Sequence, residues 1–228
     1  MKKTKNTYIP INFSTPMIQA ILEGRKTQTR RLIKPQPTKQ WAVEQGGKYL
    51  SGATEEGVTS KDMANVDINI DNLLEDNPTK KGVILWVREK WEYSDDLEEP
   101  YLYEQKYNSD YLEEYHNLIK WKSSTHMPKE AARTFLKVTD VWVEKLQDIT
   151  EEEAMQEGIE RFYEGYGGPS AGFLYNDYNH GRQFHLPSAR KGFQSLWQSI
   201  YGIKSWDENP WVWVYSFEWI DKPQDWKY

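Results

Sequence analysis

Between Arg25 and Lys34 the chain carries five cations, Arg25, Lys26, Arg30, Arg31 and Lys34, and no acid. The stretch 144–165 is its reverse, with eight acids (Glu144, Asp148, Glu151, Glu152, Glu153, Glu157, Glu160, Glu164) against Lys145 and Arg161. Guanidinium groups gathered in this way suit a phosphate or another anion. The same cations also fit a solvated loop salt-bridged to the acidic stretch. Lys26 stands out, because an ammonium flanked by Arg25 and near Arg30 sits among like charges, which disfavour its protonated form. A lysine tuned downward can act as a base toward a hydroxyl, and Thr27 and Thr29 supply two. In an extended segment both threonines point away from Lys26, so convergence requires a tight turn after Gly24.

Several elements must hold these residues. Ile9, Ile11 and Phe13 alternate with Pro10 and Asn12, a strand that Pro10 assigns to a sheet edge. Ser14-Thr15-Pro16 reads as a helix start, Met17, Ala20 and Ile21 as its apolar stripe, and Gly24 as its stop. Val83–Trp91 predicts a strand, its first five residues apolar and buried. Residues 92–120 suggest a strand pair and a short helix. Arg133–Leu146 alternates with period two, and Asp140 marks a bulge or turn. Thr150 with Glu153 forms a capping box opening a helix that ends at Gly158. Ser188 caps a further helix, with Phe193, Leu196, Trp197 and Ile200 on one face and Gly202 at its end. Trp211–Ile220 is an aromatic strand. The stretches 36–82 and 163–187 read as loops, the first with room for a hairpin. The pattern is α+β, with a small, mostly antiparallel barrel plugged by short helices as its form.

Composition narrows the chemistry. The 228 residues contain no cysteine, which excludes disulfides, thiol nucleophiles, Cys-bound zinc and iron–sulfur clusters. A formal charge of −6 excludes a globally basic nucleic-acid coat and leaves room for a local patch. With 11 Trp, 15 Tyr and 7 Phe in a chain only 38% hydrophobic, a few bulky rings must build the core. Some of those rings could also stack on a base. No window approaches a membrane span, and no apolar run follows Met1-Lys-Lys-Thr-Lys-Asn6, so a cytoplasmic protein with no membrane contact is expected. His116, His126, His180 and His185 lack metal-ligand spacing, and no phosphate-binding or dinucleotide glycine motif occurs. Neither metal nor cofactor is therefore expected.

Further candidates follow from burial rules. Arg88 and Glu89 end a buried apolar run, so they either line a cleft, with Glu89 reading a base amine, or form a structural pair. Trp91, Trp121 and Trp211 are stacking surfaces or core rings. His126 either supports the fold or rims the cleft.

One run carries a resemblance. Ala20-Ile-Leu-Glu-Gly-Arg-Lys-Thr-Gln-Thr-Arg-Arg31 resembles the signature of the ASCH domain, a member of the PUA-like superfamily. Phe13-Ser-Thr-Pro-Met17, Lys34-Pro-Gln-Pro37, Leu85-Trp-Val-Arg-Glu-Lys-Trp91, His126-Met-Pro128 with Arg133, Leu146–Gly158 and Asn209-Pro-Trp-Val-Trp213 are similar to the longer ASCH proteins of phages and prophages. The resemblance spans residues 9–220. It implies one PUA-like domain over 8–220, with insertions at about 38–82, 92–120 and 160–187 and a tail at 221–228.

The resemblance further implies a cleft beside the Gly-x-Lys-x-x-Thr turn for a nucleobase, in a nucleoside or in RNA or modified nucleic acid. Small bacterial ASCH proteins include an amidohydrolase acting on N4-acetylcytidine, and its lysine, threonine and glutamate match Lys26, Thr29 and Glu157. Glu157 also reads as one more surface acid on an acidic helix. By the same resemblance Arg25, Arg30 or Arg31 would balance an oxyanion or hold a ribose phosphate; Arg88, Glu89, Trp91 and His126 remain the candidates, named above, for lining such a cleft. Other relatives bind or cleave RNA, so a non-catalytic reader and a ribonuclease remain alternatives. The family's Gly-Asp before the Leu-Trp-Val-Arg strand is absent here, where Lys81-Gly-Val-Ile84 stands.

Overall fold

The computed structural model describes residues 6–38, 69–107, 118–163, 173–180 and 185–227. Most of the expected insertion at 38–82, residues 108–117 with His116, and much of 160–187 lie outside them. The chain is mixed α+β, its contacts dividing it into two compact units. The first comprises 1–27, 81–139 and 216–228, and the second 28–80 and 140–215.

In the first unit, β1 (Tyr8–Asn12) pairs in parallel with β3 (Ile84–Arg88), from Tyr8 opposite Ile84 to Asn12 opposite Arg88. Strand β3 pairs antiparallel with the start of β6 (Phe135–Lys145), Trp86 facing Phe135. Ile84, Leu85, Trp86 and Val87 are all buried, which explains the unbroken apolar run, since a strand covered on both faces has no polar side. Pro10, lacking an N–H, lies on edge strand β1 as expected. Helix α1 (Thr15–Leu22) begins after Ser14 with Pro16 in its first turn. Ser14 makes no side-chain cap, and the Thr15 hydroxyl donates instead to the buried Glu104 carboxylate. A hairpin of β4 (Trp91–Tyr93) and β5 (Tyr101–Tyr103) leads into a one-turn helix α3 (Glu104–Tyr107), the strand pair and helix read from the sequence.

The segment 221–228, expected to be a tail, contributes to this unit's core. Trp226, only 7% exposed, packs with Ile84, Trp86, Ala132 and Phe135, with Tyr8 and Ile220 against them. Its ring centroid lies 4.8 Å from Tyr8, 5.1 Å from Phe135 and 5.7 Å from Trp86. Tyr8 Oη donates to Asp225 Oδ1 at 2.5 Å and pins the segment to β1.

Tyr103 belongs to a neighbouring cluster with Trp91, Met127 and Ala131, and its Oη donates to the Ala131 carbonyl at 2.7 Å. Burial pushes its hydroxyl from the ordinary 10.0 up to about 12. Because the folded value is raised, this stabilisation is complete below pH 10.0 and is lost as pH climbs through about 12. Denaturant titrations should therefore show stability falling across that window. Tyr103→Phe should fall less steeply there, and equal slopes for the two proteins would refute the assignment.

In the second unit, β2 (Gln28–Leu32) continues into Ile33, whose N–H donates to the Trp211 carbonyl of β10 (Trp211–Ile220) at 3.2 Å. Gln36 fastens this edge, donating to the Ile33 and Trp211 carbonyls at 2.8 and 2.9 Å and accepting from Trp211 N at 2.8 Å. Helix α2 (Ile70–Asp76) is capped by the Asn69 side chain; it lies in a stretch the sequence reads as loop. The capping box on α4 (Glu151–Gln156) is present in both directions, Glu153 N to Thr150 Oγ1 at 3.1 Å and Thr150 N to Glu153 Oε2 at 2.9 Å. Helix α5 (Ala189–Tyr201) is capped by Ser188 and buries Phe193, Leu196 and Trp197, whereas Ile200 is exposed. Gly192 is required there, because a Cβ would meet Ile159 Cγ2 at 2.7 Å.

Three readings need correction. The loop expected over 163–187 contains strands of a small antiparallel sheet, β7 (Arg161–Tyr163), β8 (Phe173–Asn176) and β9 (His185–Leu186). Its glycines concealed strands too short to show a period. Strand β6 runs unbroken through Asp140, whose side chain accepts from Val141 N at 2.9 Å rather than turning the chain. The largest sheet has the order β1-β3-β6-β10-β2 and two free ends, so among the described residues no sheet closes into a barrel.

Candidate functional site

In the first unit the basic motif begins at the end of α1. Gly24 takes φ +72°, and the N–H groups of Arg25 and Lys26 both reach the Ala20 carbonyl, at 2.9 and 3.0 Å. Positive φ is inexpensive only for glycine, so Gly24 permits the reversal that brings Lys26 indoors. Lys26 is 3% exposed, and its Nζ stands 5.5 Å from the centroid of the Phe13 ring. An ammonium is buried only where electron-rich groups receive it.

Arg25 turns to Glu23, donating from Nε at 2.7 Å with Nη2 at 2.5 Å. The Gln19 amide and then Arg25 hold the Glu23 carboxyl below the usual range. From Glu23 a line of hydrogen bonds runs on: Gln19 to Glu23 at 2.5 Å, Gln105 to Gln19 at 2.5 Å, Arg133 Nη2 to Gln105 at 3.1 Å. It ends on Glu89, which Arg133 grips with Nε and Nη2 at 2.9 and 2.7 Å.

Arg88 and Glu89 do not pair with each other, since neighbours on a strand face opposite ways. Arg88 donates to the Thr125 carbonyl at 2.9 Å and lies over Trp86, while the buried Glu89 belongs to Arg133. The structural pair between the two is therefore not formed, and each is held by a different partner. Trp91 is a buried ring packed with Tyr103 and Met127, with Lys122 4.9 Å from its centroid, so it offers no open stacking face. His126 is exposed, in a short turn at 124–126.

In the second unit, Thr29 and Arg30 are each 3% exposed on β2, and Gln28 is buried too. Alternation places Gln28 and Arg30 on one face of the strand and Thr29 on the other. Arg30 is engaged by acids throughout. Its Nε donates to Glu144 Oε1 at 2.7 Å, and Nη2 lies 2.7 Å from that oxygen and 3.2 Å from Glu153 Oε2. Its Nη1 faces Glu157 Oε1 at 3.4 Å and Gln28 Oε1 at 3.5 Å. Arg30 is therefore closed to a phosphate; it is salt-bridged to the acidic stretch, but from a buried strand rather than a solvated loop.

Glu157, the cap at the end of α4, is 3% exposed, which removes the surface-acid reading. Arg31 is half-buried, and its charge acts on the Tyr215 hydroxyl, which burial raises above 10.0 and Arg31 partly lowers. The structure thus joins Arg30 to Glu157 and sets Thr29 on the opposite face of their strand. Glu144 and Glu153, partners of Arg30, were foreshadowed only by the acid excess of 144–165; nothing in the sequence selects those two of the eight.

A cavity of about 430 Å³ lies in the first unit, lined by Glu98, Tyr101, Tyr103, Glu130, Arg133 and Lys222 among others. None of the expected site residues lines it, and Glu89 approaches it only through Arg133. Among the described residues no cluster of His, Asp and Glu could hold a metal ion, and no helix is long and apolar enough to cross a membrane. Comparison with protein-family models, with curated proteins and with solved structures finds no match.

Proposed function

We propose that the chain is an ASCH-type, PUA-like protein that binds a nucleobase, in a nucleoside or in RNA, and removes the acyl group from N4-acylated cytidine. The observation that supports this most is the burial of polar side chains in the motif itself. Lys26, Gln28, Thr29 and Arg30, four residues of five in sequence, are buried, and so is Glu157. Burying such groups costs free energy that an apolar sequence would avoid, so a retained lysine indoors is better explained by chemistry than by packing. A cytoplasmic setting belongs to the same proposal.

In this reading Lys26 Nζ takes the proton of the Thr29 hydroxyl as its oxygen bonds to the acyl carbon. Glu157 gives a proton to N4 as the carbon–nitrogen bond breaks, and cytidine leaves. Glu157 then takes a proton from water, whose oxygen displaces the acyl group as acetate, and Lys26 returns its proton to Thr29. The balance is one water consumed for each cytidine and acetic acid formed, the acid then losing its proton to solvent as acetate. The reading requires all three side chains to act on one substrate.

Purified protein incubated with N4-acetylcytidine should release cytidine and acetate in equal amounts, followed by chromatography. Binding without release, weakening steeply as salt rises, would favour a non-catalytic reader. Shortening of labelled RNA without deacylation would favour a nuclease. Either result overturns the amidohydrolase.

A further inference from the structure

We infer that Arg30 is a positioning residue for Glu157, locked in place by two acids of the second unit that have no other part in the reaction. The inference rests on the proposed role of Glu157. Glu144 is anchored independently, its Oε2 accepting from the Trp142 indole Nε1 at 2.7 Å. Glu153 is anchored by the capping box, its Oε2 accepting from Thr150 N at 2.9 Å. Nε of Arg30 donates to Glu144 Oε1 at 2.7 Å, Nη2 lies 2.7 Å from Glu144 Oε1 and 3.2 Å from Glu153 Oε2 without a hydrogen bond to either, and the Phe193 ring lies 5.8 Å from the guanidinium carbon. The plane of the group is thereby fixed by β6, α4 and α5 together.

The edge left over is Nη1, and it faces Glu157 and Gln28. Glu157 follows the last residue of α4, a six-residue helix, and is 3% exposed. The contact at 3.4 Å is the longest of the ion pairs around Arg30. It orients the carboxylate, while the shorter contacts to Glu144 and Glu153 hold the other side of the guanidinium.

A lysine could not do the same. Its single ammonium cannot present three nitrogens in one rigid plane to acids on different sides. The arrangement also explains why an arginine within a basic motif is wholly withdrawn from solvent, which phosphate binding would not explain.

The test is Arg30→Lys, which keeps the charge, alongside Trp142→Phe, which frees Glu144 without touching Glu157. Positioning predicts that Arg30→Lys lowers kcat on N4-acetylcytidine about 10- to 100-fold, as expected for a misplaced reacting group, with KM nearly unchanged. Trp142→Phe should lower kcat in the same direction by a smaller factor. The carboxyl carbon signal of Glu157, assigned by its loss in Glu157→Gln, should be a single sharp line in the parent protein and shift or broaden in Arg30→Lys.

That signal needs no turnover, so it distinguishes the two ideas. If the parent protein deacylates nothing but the line still responds to Arg30→Lys, the catalytic reading fails and the positioning contact stands. If the line and kcat are both unchanged in folded Arg30→Lys, positioning is refuted. It is refuted equally if activity merely follows the folded fraction in both variants. Should Arg30→Lys not fold, the Trp142→Phe line and kcat decide in the same way.

Discussion

Lys26→Met should lower the rate of N4-acetylcytidine deacylation by about 10²- to 10⁴-fold, the usual contribution of a positioned acid or base. Methionine is the informative replacement because it keeps an unbranched, apolar stem beside Phe13 and removes only the ammonium. At a 3% exposed position the thermal unfolding of the variant is read beside its turnover, so that a loss of fold is told apart from a loss of chemistry. Thermal unfolding within a few degrees of the parent, together with lost turnover, would identify the amine as part of the chemistry. A rate within about threefold of the parent would remove Lys26 from the mechanism, since general-base catalysis contributes at least about 10²-fold.

The second large effect concerns stability. Trp226→Ala should cost about 3–5 kcal/mol, the range for deleting a large aromatic ring from a packed core. For a chain of this size that is a fall in Tm of roughly 6–20 °C. The ring contacts Tyr8, Trp86 and Phe135 at centroid distances of 4.8–5.7 Å, so its removal leaves a void bounded by three other rings that cannot close on it. Truncation after Ile220 should be at least as damaging, because the Tyr8–Asp225 hydrogen bond goes as well. A protein truncated there that melts with the parent would show that the C-terminal segment is dispensable. Calorimetry reads either outcome, and the Tyr8 and Phe135 resonances report whether the loss is local to the first unit.

How far the sequence discloses this arrangement depends on the range over which each feature is encoded. Local signals survive intact. Thr150 and Glu153, three residues apart, announce a capping box that forms in both directions. Ser188 and Gly202 bracket α5, and the aromatic run Trp211–Ile220 is a strand along its whole length. Gly24 marks the reversal that buries Lys26.

Partners distant in the chain do not announce themselves. Glu89 invites pairing with adjacent Arg88, yet strand alternation parts them, and its partner is Arg133, 44 residues on. Arg30 looks like an anion binder among other cations until Glu144, 114 residues away, closes on it. Trp226 reads as part of a polar tail because its neighbours are Asp225 and Lys227, and only tertiary packing reveals it as core. Thr29 is the instructive case at the site. Its spacing from Lys26 fits the ASCH motif, while the register of β2 turns it away from Gln28, Arg30 and the contact with Glu157.

The most direct measurement is a crystal of the Glu157→Gln protein soaked with N4-acetylcytidine, the amide slowing turnover while preserving shape. The account predicts the acetamide group within hydrogen-bond reach of Lys26 Nζ, with the cytosine ring ordered beside the Gly24–Arg31 motif. Nucleoside density confined to the cavity lined by Tyr101, Tyr103 and Arg133, with none at Lys26, would contradict it.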